Sequence, residues 1–517
     1  MSTLTANTLL PGKTAELVAS GAIAAGKPVI LNTAGTVTQV SETTYSAALG
    51  DPDVASAATT NYAPNIAYDS ANDRVVGIWI DNTSKYGYAK VGTVSGTDIT
   101  WGTIATWRSV ACDEQPQIAF NTSTGQFVIS FTEVTGGSGY NHGWCVVGAV
   151  TGTNKNELTF GNPVKSYAGW VPKHRLSYDP DNYKMLLLQN RGSGTQGGFA
   201  GVATLSGTGT GATIEYGTFV AYTTSTNVDG HQDVYYDTSQ NCFVIAWNEN
   251  TGKARTATIS GTNTVSFGTA NTFVSGSAFG GLPSTFDTTA NKGIIGWVDG
   301  NTGNKIGKLR TVTVANNEVN FGSVTTVYST TSGNDLATAQ YGMALIYAGN
   351  DYNKTIIGFQ RDAGDDSYYR YAETTLSGTD IATPTGVTRL YTANVTNNTT
   401  SVCLGLNSKL IWIIKPSQTA GDMTDNFVYG IAQQLPASVT NLTSANFLGI
   451  ADRAIADTAV GGISIKGGLA TEGLSSLTPG TDYYAQGDGT INITSTSPAV
   501  KLGKAISATA INLEYRS

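Results

Sequence analysis

The sequence predicts an all-β fold: a seven-bladed β-propeller of four-stranded antiparallel blades, with a small β module at the chain ends. Two observations predict it. β-Branched and aromatic residues are separated by turns rich in Gly and Asn, while charged residues make up only 13% of the 517 residues. A unit of about 50–60 residues also recurs in tandem, which is typical of repeat architectures. A four-stranded sheet of that size buries its faces only by stacking on neighbours, and radial stacking gives a propeller.

Each unit begins with a strand, a short polar turn and a second strand. Seven copies, of which the last is shortened, start at Ile66, Ile118, Leu176, Val234, Ser284, Leu345 and Val402. Five of them place Asp or Asn after an aromatic residue, at Asp69, Asn121, Asp179, Asp237 and Asp287. Because such side chains hydrogen-bond the backbone of a turn, we expect turn formers at these positions rather than catalytic groups.

The second strand of each unit is almost continuously apolar, as in Phe243-Val244-Ile245-Ala246-Trp247. This pattern predicts a strand that is covered on both faces. Shorter, alternating strands follow, around a Ser-Gly-Thr or Thr-Gly-Thr turn and an aromatic-Gly pair such as Trp101-Gly102. An open β-solenoid is the main alternative, but solenoid coils are usually shorter and these units contain hairpins.

The two ends of the chain do not fit the unit. We therefore expect an attachment segment over 1–50, the propeller over 51–438 and a small β module over 439–517. The stretch that ends in Gly35-Thr36-Val37 is similar to the one that ends in Gly489-Thr490-Ile491. The N-terminal hairpin is accordingly expected to pack with the C-terminal module or to complete the last blade, and either arrangement would protect strand edges.

Charge and composition argue against several classes of partner. The net charge is −8 and no Lys/Arg cluster is present, so we expect no nucleic-acid partner. No apolar run approaches the ~20 residues of a membrane span, and residues 1–11 lack the features of a signal peptide, which favours assembly in a cytoplasm. The four cysteines lie far apart and are expected to be reduced and buried: Cys112, Cys145, Cys242 and Cys403.

The sequence offers no constellation for catalysis, so we predict a protein that is not an enzyme, with no cofactor and no metal. The adjacent carboxylates of Asp113-Glu114 and Asp365-Asp366 would point to opposite faces of a strand. His142, in a predicted loop tip, is distant in sequence from His174 and His231. Aromatic and imidazole side chains expected at turns or between units are the better candidates for ligand or partner contacts, the alternative being that they pack between blades. They are Tyr86, Tyr88, Tyr140, His142, Trp144, Trp170, Tyr368 and Tyr369.

Several stretches together resemble structural proteins of tailed bacteriophages, especially marine and cyanobacterial phages. They are the unit YDSANDRVVGIWIDN…YGYAKVGTVSGTDITWG, the closing module with GLSSLTPGTDYYAQGDGTI, and the opening GAIAAGKPVILNTAGTVTQV. The resemblance implies a tail-fibre-like virion protein that attaches through its end modules and presents a propeller to the host surface. Its implied partners are other virion proteins, a host glycan or protein, and further copies of itself, for example in a trimer.

Two alternatives stay open beside the tail-fibre interpretation. The Gly-Thr-Val hairpin also resembles small capsid decoration proteins, which would give a head-fibre or purely architectural role. A glycan-degrading propeller enzyme is disfavoured, because the hairpin turns lack the Ser-x-Asp-x-Gly-x-Thr-Trp box of sialidases.

Overall fold

The computed structural model describes an all-β protein whose strands are joined by turns. Among the residues that it describes, two of these connections are short 3-10 turns, Gly209–Gly211 and Leu406–Ser408. Among the residues it describes, no helix is long and apolar enough to cross a membrane. The described residues are 14–57, 61–81, 83–134, 141–192, 197–226, 228, 231–261, 263–276, 278–279, 281–299, 306–328, 335–336, 343–349, 351–362, 369–390, 400–415, 427–496 and 498–514.

The chain divides into two compact units. Unit 1 combines Met1–Ser46 with Pro436–Ser517, and unit 2 is Ala47–Leu435. These divisions lie within a few residues of the expected boundaries at 50 and 438. The two ends of the chain belong to the same unit.

In the described part of the chain, unit 2 contains seven five-stranded antiparallel sheets, numbered here in chain order. The strands of sheet 1 are Asn61–Asp69, Arg74–Asp81, Gly87–Ser95, Asp98–Trp101 and Ala105–Arg108, and those of sheet 2 are Cys112–Asn121, Gln126–Val134, Asn141–Thr151, Glu157–Phe160 and Val164–Trp170. Sheet 3 consists of Lys173–Asp179, Lys184–Arg191, Gly197–Ser206, Thr213–Tyr216 and Val220–Thr223. Sheet 4 consists of Gln232–Asp237, Cys242–Asn248, Gly252–Ser260, Thr264–Phe267 and Asn271–Val274.

The remaining three sheets vary this plan. Sheet 5 consists of Ala278–Phe279, Ser284–Asp287, Lys292–Asp299, Ile306–Ala315 and Glu318–Tyr328. Sheet 6 consists of Asp335–Leu336, Met343–Tyr347, Thr355–Asp362, Tyr369–Thr374 and Thr385–Arg389. Sheet 7 consists of Thr400–Leu404, Lys409–Ile414, Val428–Gln434, Ala48–Leu49 and Asp53–Ser56. A small hairpin, Leu376–Ser377 with Asp380–Ile381, follows Tyr369–Thr374, the fourth strand of sheet 6. Sheet 7 thus takes two strands from the start of unit 2 and three from its end.

The expectation of four strands in each sheet is wrong, because the seven described sheets of unit 2 have five strands each. In sheets 1 to 4 the fourth, outer strand is broken into two pieces, both of which pair with the third strand. In sheet 1 the break follows Trp101-Gly102, and the second piece, Ala105–Arg108, pairs near the start of Gly87–Ser95. In sheets 1 to 4 the aromatic-Gly pair therefore marks an interruption of the outer strand, whereas in sheet 5 the strand Glu318–Tyr328 continues through Phe321-Gly322.

The Asp and Asn residues of the repeat form turns, as predicted. Asp237 is buried, and one of its carboxylate oxygens accepts hydrogen bonds from the backbone N–H groups of Ser239, at 2.9 Å, and Gln240, at 3.1 Å. Asp69, Asn121, Asp179 and Asp287 accept the equivalent pair of bonds in their own sheets.

The apolar strand of each sheet, which stands second in sheets 1 to 4 and 7 and third in sheets 5 and 6, is covered on both faces. This confirms the prediction from its apolar run. In sheet 1, Val76, Ile78 and Ile80 pack towards sheet 2, while Val75 and Trp79 pack towards sheet 7. One apolar cluster fills each space between neighbouring sheets, and the seventh cluster joins sheet 7 to sheet 1. We call the strand just before the apolar strand in each sheet the inner strand; in sheets 5 and 6 it is Ser284–Asp287 and Met343–Tyr347. The inner strands contact one another in sheet order, and the inner strand of sheet 7 contacts that of sheet 1.

Glycines bring neighbouring sheets close at their outer edges. A Cβ on Gly217 would overlap the backbone carbonyl oxygen of Asn263, which lies in the turn between the third and fourth strands of the next sheet. The same overlap recurs along unit 2 for Gly50 with Thr97, Gly102 with Asn156, Gly161 with Ala212, Gly268 with Asn317 and Gly322 with Thr379. Glycine is required here for a close approach of backbone, not for an unusual φ.

In its described residues, unit 1 contains two copies of a five-stranded antiparallel motif. In copy A the strands in chain order are Thr14–Val18, Pro28–Leu31, Val37–Gln39, Phe447–Ala451 and Val460–Ser464; in copy B they are Leu469–Ala470, Asp482–Gln486, Ile491–Asn492, Ala499–Ser507 and Ala510–Leu513. Numbered this way, both sheets have the order 1-5-4-2-3. The turn before the third strand is also equivalent, because Gly35 and Gly489 have φ of 80° and 78° and each N–H donates to the carbonyl three residues earlier.

Copy A is split along the chain, and unit 2 is inserted between its third and fourth strands. The N-terminal hairpin therefore lies in one sheet with C-terminal strands. The two copies share a core that includes Ile30 and Phe447 from copy A and Tyr483 and Leu502 from copy B. Next to them, Glu42–Tyr45 pairs with Ala437–Thr440, so the chain that leaves unit 1 lies beside the chain that returns to it.

Replacing the turn former of sheet 4 by Ala should destabilise the protein. We expect Asp237→Ala to lower the free energy of unfolding by about 1–2 kcal/mol, since two backbone N–H groups lose their acceptor. Asp237→Asn is the control and should lose less than half as much, because Asn121 performs this role in sheet 2. Urea unfolding followed by tryptophan fluorescence measures both, and equal losses for the two variants would contradict the assignment.

The glycine contacts predict a position-specific effect of one methyl group. Gly217→Ala should lower the free energy of unfolding by about 1–3 kcal/mol, because the sheets must separate to admit the Cβ. Gly211→Ala, six residues earlier, is the matched control: nothing lies within 4 Å of its added Cβ, so the change should be within about 0.5 kcal/mol. If both variants unfold at the same urea concentration, the contact does not constrain the packing.

Candidate functional site

Three of the predicted contact residues come together in sheet 2. His142 and Trp144 lie on the third strand, and His142 pairs with Trp170 of the outer strand. The prediction that His142 lies in a loop tip is wrong, because its strand pairs with Glu133 on one side and with Trp170 on the other. Trp170 is exposed, while His142 and Trp144 are half-buried.

The Trp144 ring is engaged within the protein. Arg108 and Lys165 hold their cationic groups 5.4 and 5.0 Å from its centroid, and Arg108 also forms an ion pair with Glu133. Cation–π contacts of this kind occupy the ring surface that a sugar would stack on. Trp144 therefore joins sheets 1 and 2, and Trp170 is the more accessible aromatic of this group.

The other predicted contact residues are dispersed. Tyr86 is exposed just before the third strand of sheet 1, and Tyr88 is half-buried on that strand. Tyr369 is 1% exposed and packs edge-on against Trp412, so its ring is part of the core between sheets 6 and 7. Tyr140 and Tyr368 lie outside the described residues.

A different set of side chains converges where the inner strands meet. Each inner strand, or the segment just before it, contributes at least one residue to the lining of a common cavity of about 150 Å³. In sheets 1 to 5 one such residue stands four positions before the Asp or Asn of the turn. We call the set the inner ring; in sheet order it is Asn65, Gln117, Arg175, Asp233, Pro283, Ala344 and Ser401.

Five consecutive members of the inner ring are polar, from sheet 7 through sheet 4. The Ser401 hydroxyl donates to Asn65 Oδ1 at 2.7 Å, and Asn65 Nδ2 donates to Gln117 Oε1 at 3.3 Å. Arg175 Nε lies 3.3 Å from Asp233 Oδ1. The other two members, from sheets 5 and 6, are Pro283 and Ala344. Ser284 of sheet 5 also lines the cavity, and its hydroxyl donates to Asp233. The ring therefore has a polar arc and a mainly apolar arc.

Both carboxylate oxygens of Asp233 have partners, Arg175 at Oδ1 and Ser284 at Oδ2. Its Oδ2 accepts hydrogen bonds from the backbone N–H and the hydroxyl of Ser284, at 2.6 and 2.8 Å. Burial raises the pKa of Asp233, while Arg175 and Ser284 oppose that rise. Asp233 is the one carboxylate among the described residues that line the cavity, and hydrolysis of a glycosidic bond ordinarily uses two. The arrangement is suited to binding polar groups.

Sequence reasoning missed the inner ring. A signal was present, because the residue four positions before each turn Asp or Asn changes from repeat to repeat while its surroundings stay similar. A position that varies within a regular repeat, and is polar in five of seven copies, is a candidate for recognition rather than packing.

The described residues contain no group of three or more His, Cys, Asp or Glu side chains placed to hold a metal ion. The four cysteines are free and buried, as predicted, and burial raises the pKa of the Cys145 thiol to about 12. His174 is buried on the inner strand of sheet 3, with Nε2 2.9 Å from the Thr132 hydroxyl.

Comparison with known proteins gives distant likenesses. No family model and no curated protein matches the sequence. Among solved structures, the NanB sialidase of Streptococcus pneumoniae is 10% identical, with a TM-score of 0.42 over 74% of this chain and 69% of that one. A fungal alcohol oxidase of the AA5 family in complex with copper is 10% identical, with a TM-score of 0.44 over 91% of this chain and 98% of that one. TM-scores this low carry no argument about activity.

His174 makes stability depend on pH. Burial, together with Lys173 and Arg175, lowers its pKa to about 3, whereas an unfolded histidine titrates near pH 6.5. The folded state thus binds fewer protons, and its stability is complete above about pH 6.5 and falls as the pH drops towards 3. Between pH 7 and 4.5 the wild type should lose roughly 2–3 kcal/mol more than His174→Gln, measured by urea unfolding at both values. An equal loss in the two proteins would contradict the buried neutral imidazole.

Proposed function

We propose that unit 2 is a seven-bladed β-propeller and that the protein is a non-enzymatic, tail-fibre-like structural protein of a bacteriophage particle. Unit 1 attaches the chain to other virion proteins, and the propeller presents a binding surface to the host cell. Copies of the chain assemble together at the particle.

The propeller proposal is supported by the order of contacts among the seven sheets. Each inner strand contacts the next, and the last contacts the first. An apolar cluster also lies between every neighbouring pair of sheets, including sheets 7 and 1. Sheet 7 combines strands from both ends of unit 2, such as Asp53–Ser56 with Val428–Gln434, which would hold a ring closed.

The attachment role of unit 1 is supported by its construction. Its two motif copies enclose both ends of the chain, and the whole of unit 2 is an insertion into copy A. A module that keeps its own core while carrying a large insertion is suited to anchoring. This agrees with the resemblance of both chain ends to phage structural proteins.

The observation that carries a binding role is the inner ring. It gathers side chains from all seven sheets around one cavity, with a polar arc and an apolar arc. A ring that served packing alone would be filled by apolar residues, as the spaces between the sheets are. Among the described residues that line the cavity, the single carboxylate favours recognition over hydrolysis.

The location of the protein in the phage tests the proposal. Antibodies against the purified full chain should label purified particles at the tail in electron micrographs. Label on the head would replace the tail-fibre role by the capsid decoration role. If the chain is found only in the soluble fraction of infected-cell lysates, the virion assignment is wrong. An unrelated soluble host protein, probed in the same fractions, controls for carry-over.

A further inference from the structure

The chemistry of the inner ring restricts the charge of its ligand. Arg175 and Asp233 form an ion pair whose side chains are 14% and 20% exposed, so both are accessible while each neutralises the other. An anion near Arg175 would also meet the Asp233 carboxylate, and a cation near Asp233 would also meet the guanidinium. The remaining polar members, Asn65, Gln117 and Ser401, are uncharged. A neutral ligand therefore fits best.

The polar arc offers donors and acceptors next to one another. The guanidinium of Arg175 can only donate and the carboxylate of Asp233 can only accept, while Gln117 carries both kinds of group. Gln117 Nε2 donates no hydrogen bond within the described residues. Neighbouring hydroxyls of a sugar each donate and accept, and hydrogen bonds to charged partners are the stronger ones.

The apolar arc supplies a complementary surface. Pro283 and Ala344 stand opposite the polar arc in sheet order, and Leu282 and Met343 line the cavity beside them. Ser284 is the polar residue on this side, and its hydroxyl is already engaged by Asp233. A sugar ring has hydroxyls at its edge and C–H groups on its face, so it matches a cavity that is polar on one side and apolar on the other. The volume of about 150 Å³ lies below the roughly 300 Å³ of pockets for drug-sized ligands, which limits the ligand to one small ring.

We propose that the inner ring binds a single neutral monosaccharide unit, such as the terminal residue of a host-surface glycan. This rests on the proposed host-binding role and gives it a place and a substrate class. Arg175, Asp233 and Gln117 bind the hydroxyls, and the apolar arc contacts the C–H face.

Direct binding to the purified full chain tests this inference. The probes are glucose, galactose, mannose and N-acetylglucosamine, measured by saturation-transfer NMR and titration calorimetry. At least one should bind with a millimolar or lower Kd. The charged relatives glucosamine and N-acetylneuraminic acid should bind at least tenfold more weakly. No binding by any neutral sugar, or tighter binding by a charged one, overturns the proposal.

Two variants locate the site. Ala344→Leu adds bulk to the apolar arc without removing a hydrogen bond, and Gln117→Leu removes a polar group; each should weaken binding at least tenfold. Gln240→Leu, in the exposed turn of sheet 4, is the matched control and should bind as the wild type does. Thermal unfolding checks that all three are folded. Sugar binding that both ring variants leave unchanged places the sugar elsewhere and overturns the proposal.

The sugar-binding proposal and the virion proposal can fail independently of each other. A chain that labels particles at the tail but binds no neutral sugar would defeat only the present inference. A chain that binds sugar through the inner ring but is absent from particles would defeat only the virion assignment.

Discussion

The packing of unit 2 depends on the close approach of backbone at its outer edge. Glycines such as Gly161 and Gly217 lie against a carbonyl oxygen in the next sheet, where no Cβ fits. The inner strands make the corresponding contacts at the other end of the sheets. With both edges set, the space between two sheets has a fixed width, and side chains must fill it at the density of a protein interior. This is why the second strand of each repeat, which has a neighbour on each face, is apolar at nearly every position.

The sequence was a good guide where the cause of a structure is local. The turn at Asp237 follows from one side chain and the two N–H groups behind it, and the burial of Trp247 follows from an apolar run ten residues further on. It was a poor guide where the cause lies in another sheet. The break after Trp101-Gly102 is associated with a contact to Asn156, and His142 belongs to a strand because Glu133 and Trp170 pair with it. The Gly and Asn residues near His142 suggested a turn, but pairing with Glu133 and Trp170 places His142 in a strand.

The inner ring could not have been assembled from the sequence for the same reason. Ser401 and Asn65 are 336 positions apart, yet their side chains are hydrogen-bonded. Only the order of the sheets makes them neighbours, and only that order puts five polar residues on one arc and Pro283 and Ala344 on the other. Tandem repeats hold the backbone of every copy alike, so one variable position in each copy is enough to build an asymmetric site. The described aromatic residues singled out from the sequence do not converge from several sheets in this way: Trp144 and Trp170 lie on paired strands within sheet 2. Trp144 and Tyr369 are, in addition, engaged by neighbouring sheets.

The two copies in unit 1 explain how such a scaffold can be carried by a small module. Copy B connects its third and fourth strands through the short segment 493–498, whereas copy A makes the same connection through all of unit 2. Exposed connections of this kind are the sites at which insertions are tolerated. The pairing of Glu42–Tyr45 with Ala437–Thr440 brings the outgoing and returning chains together, so the two ends of the insertion leave unit 1 side by side. Within unit 2, sheet 7 likewise joins the first strands to the last. Strands from both ends of unit 2 are thus hydrogen-bonded within sheet 7, as strands from both ends of the chain are within copy A. The residues of the inner ring belong to unit 2, and the module that holds the chain ends is unit 1.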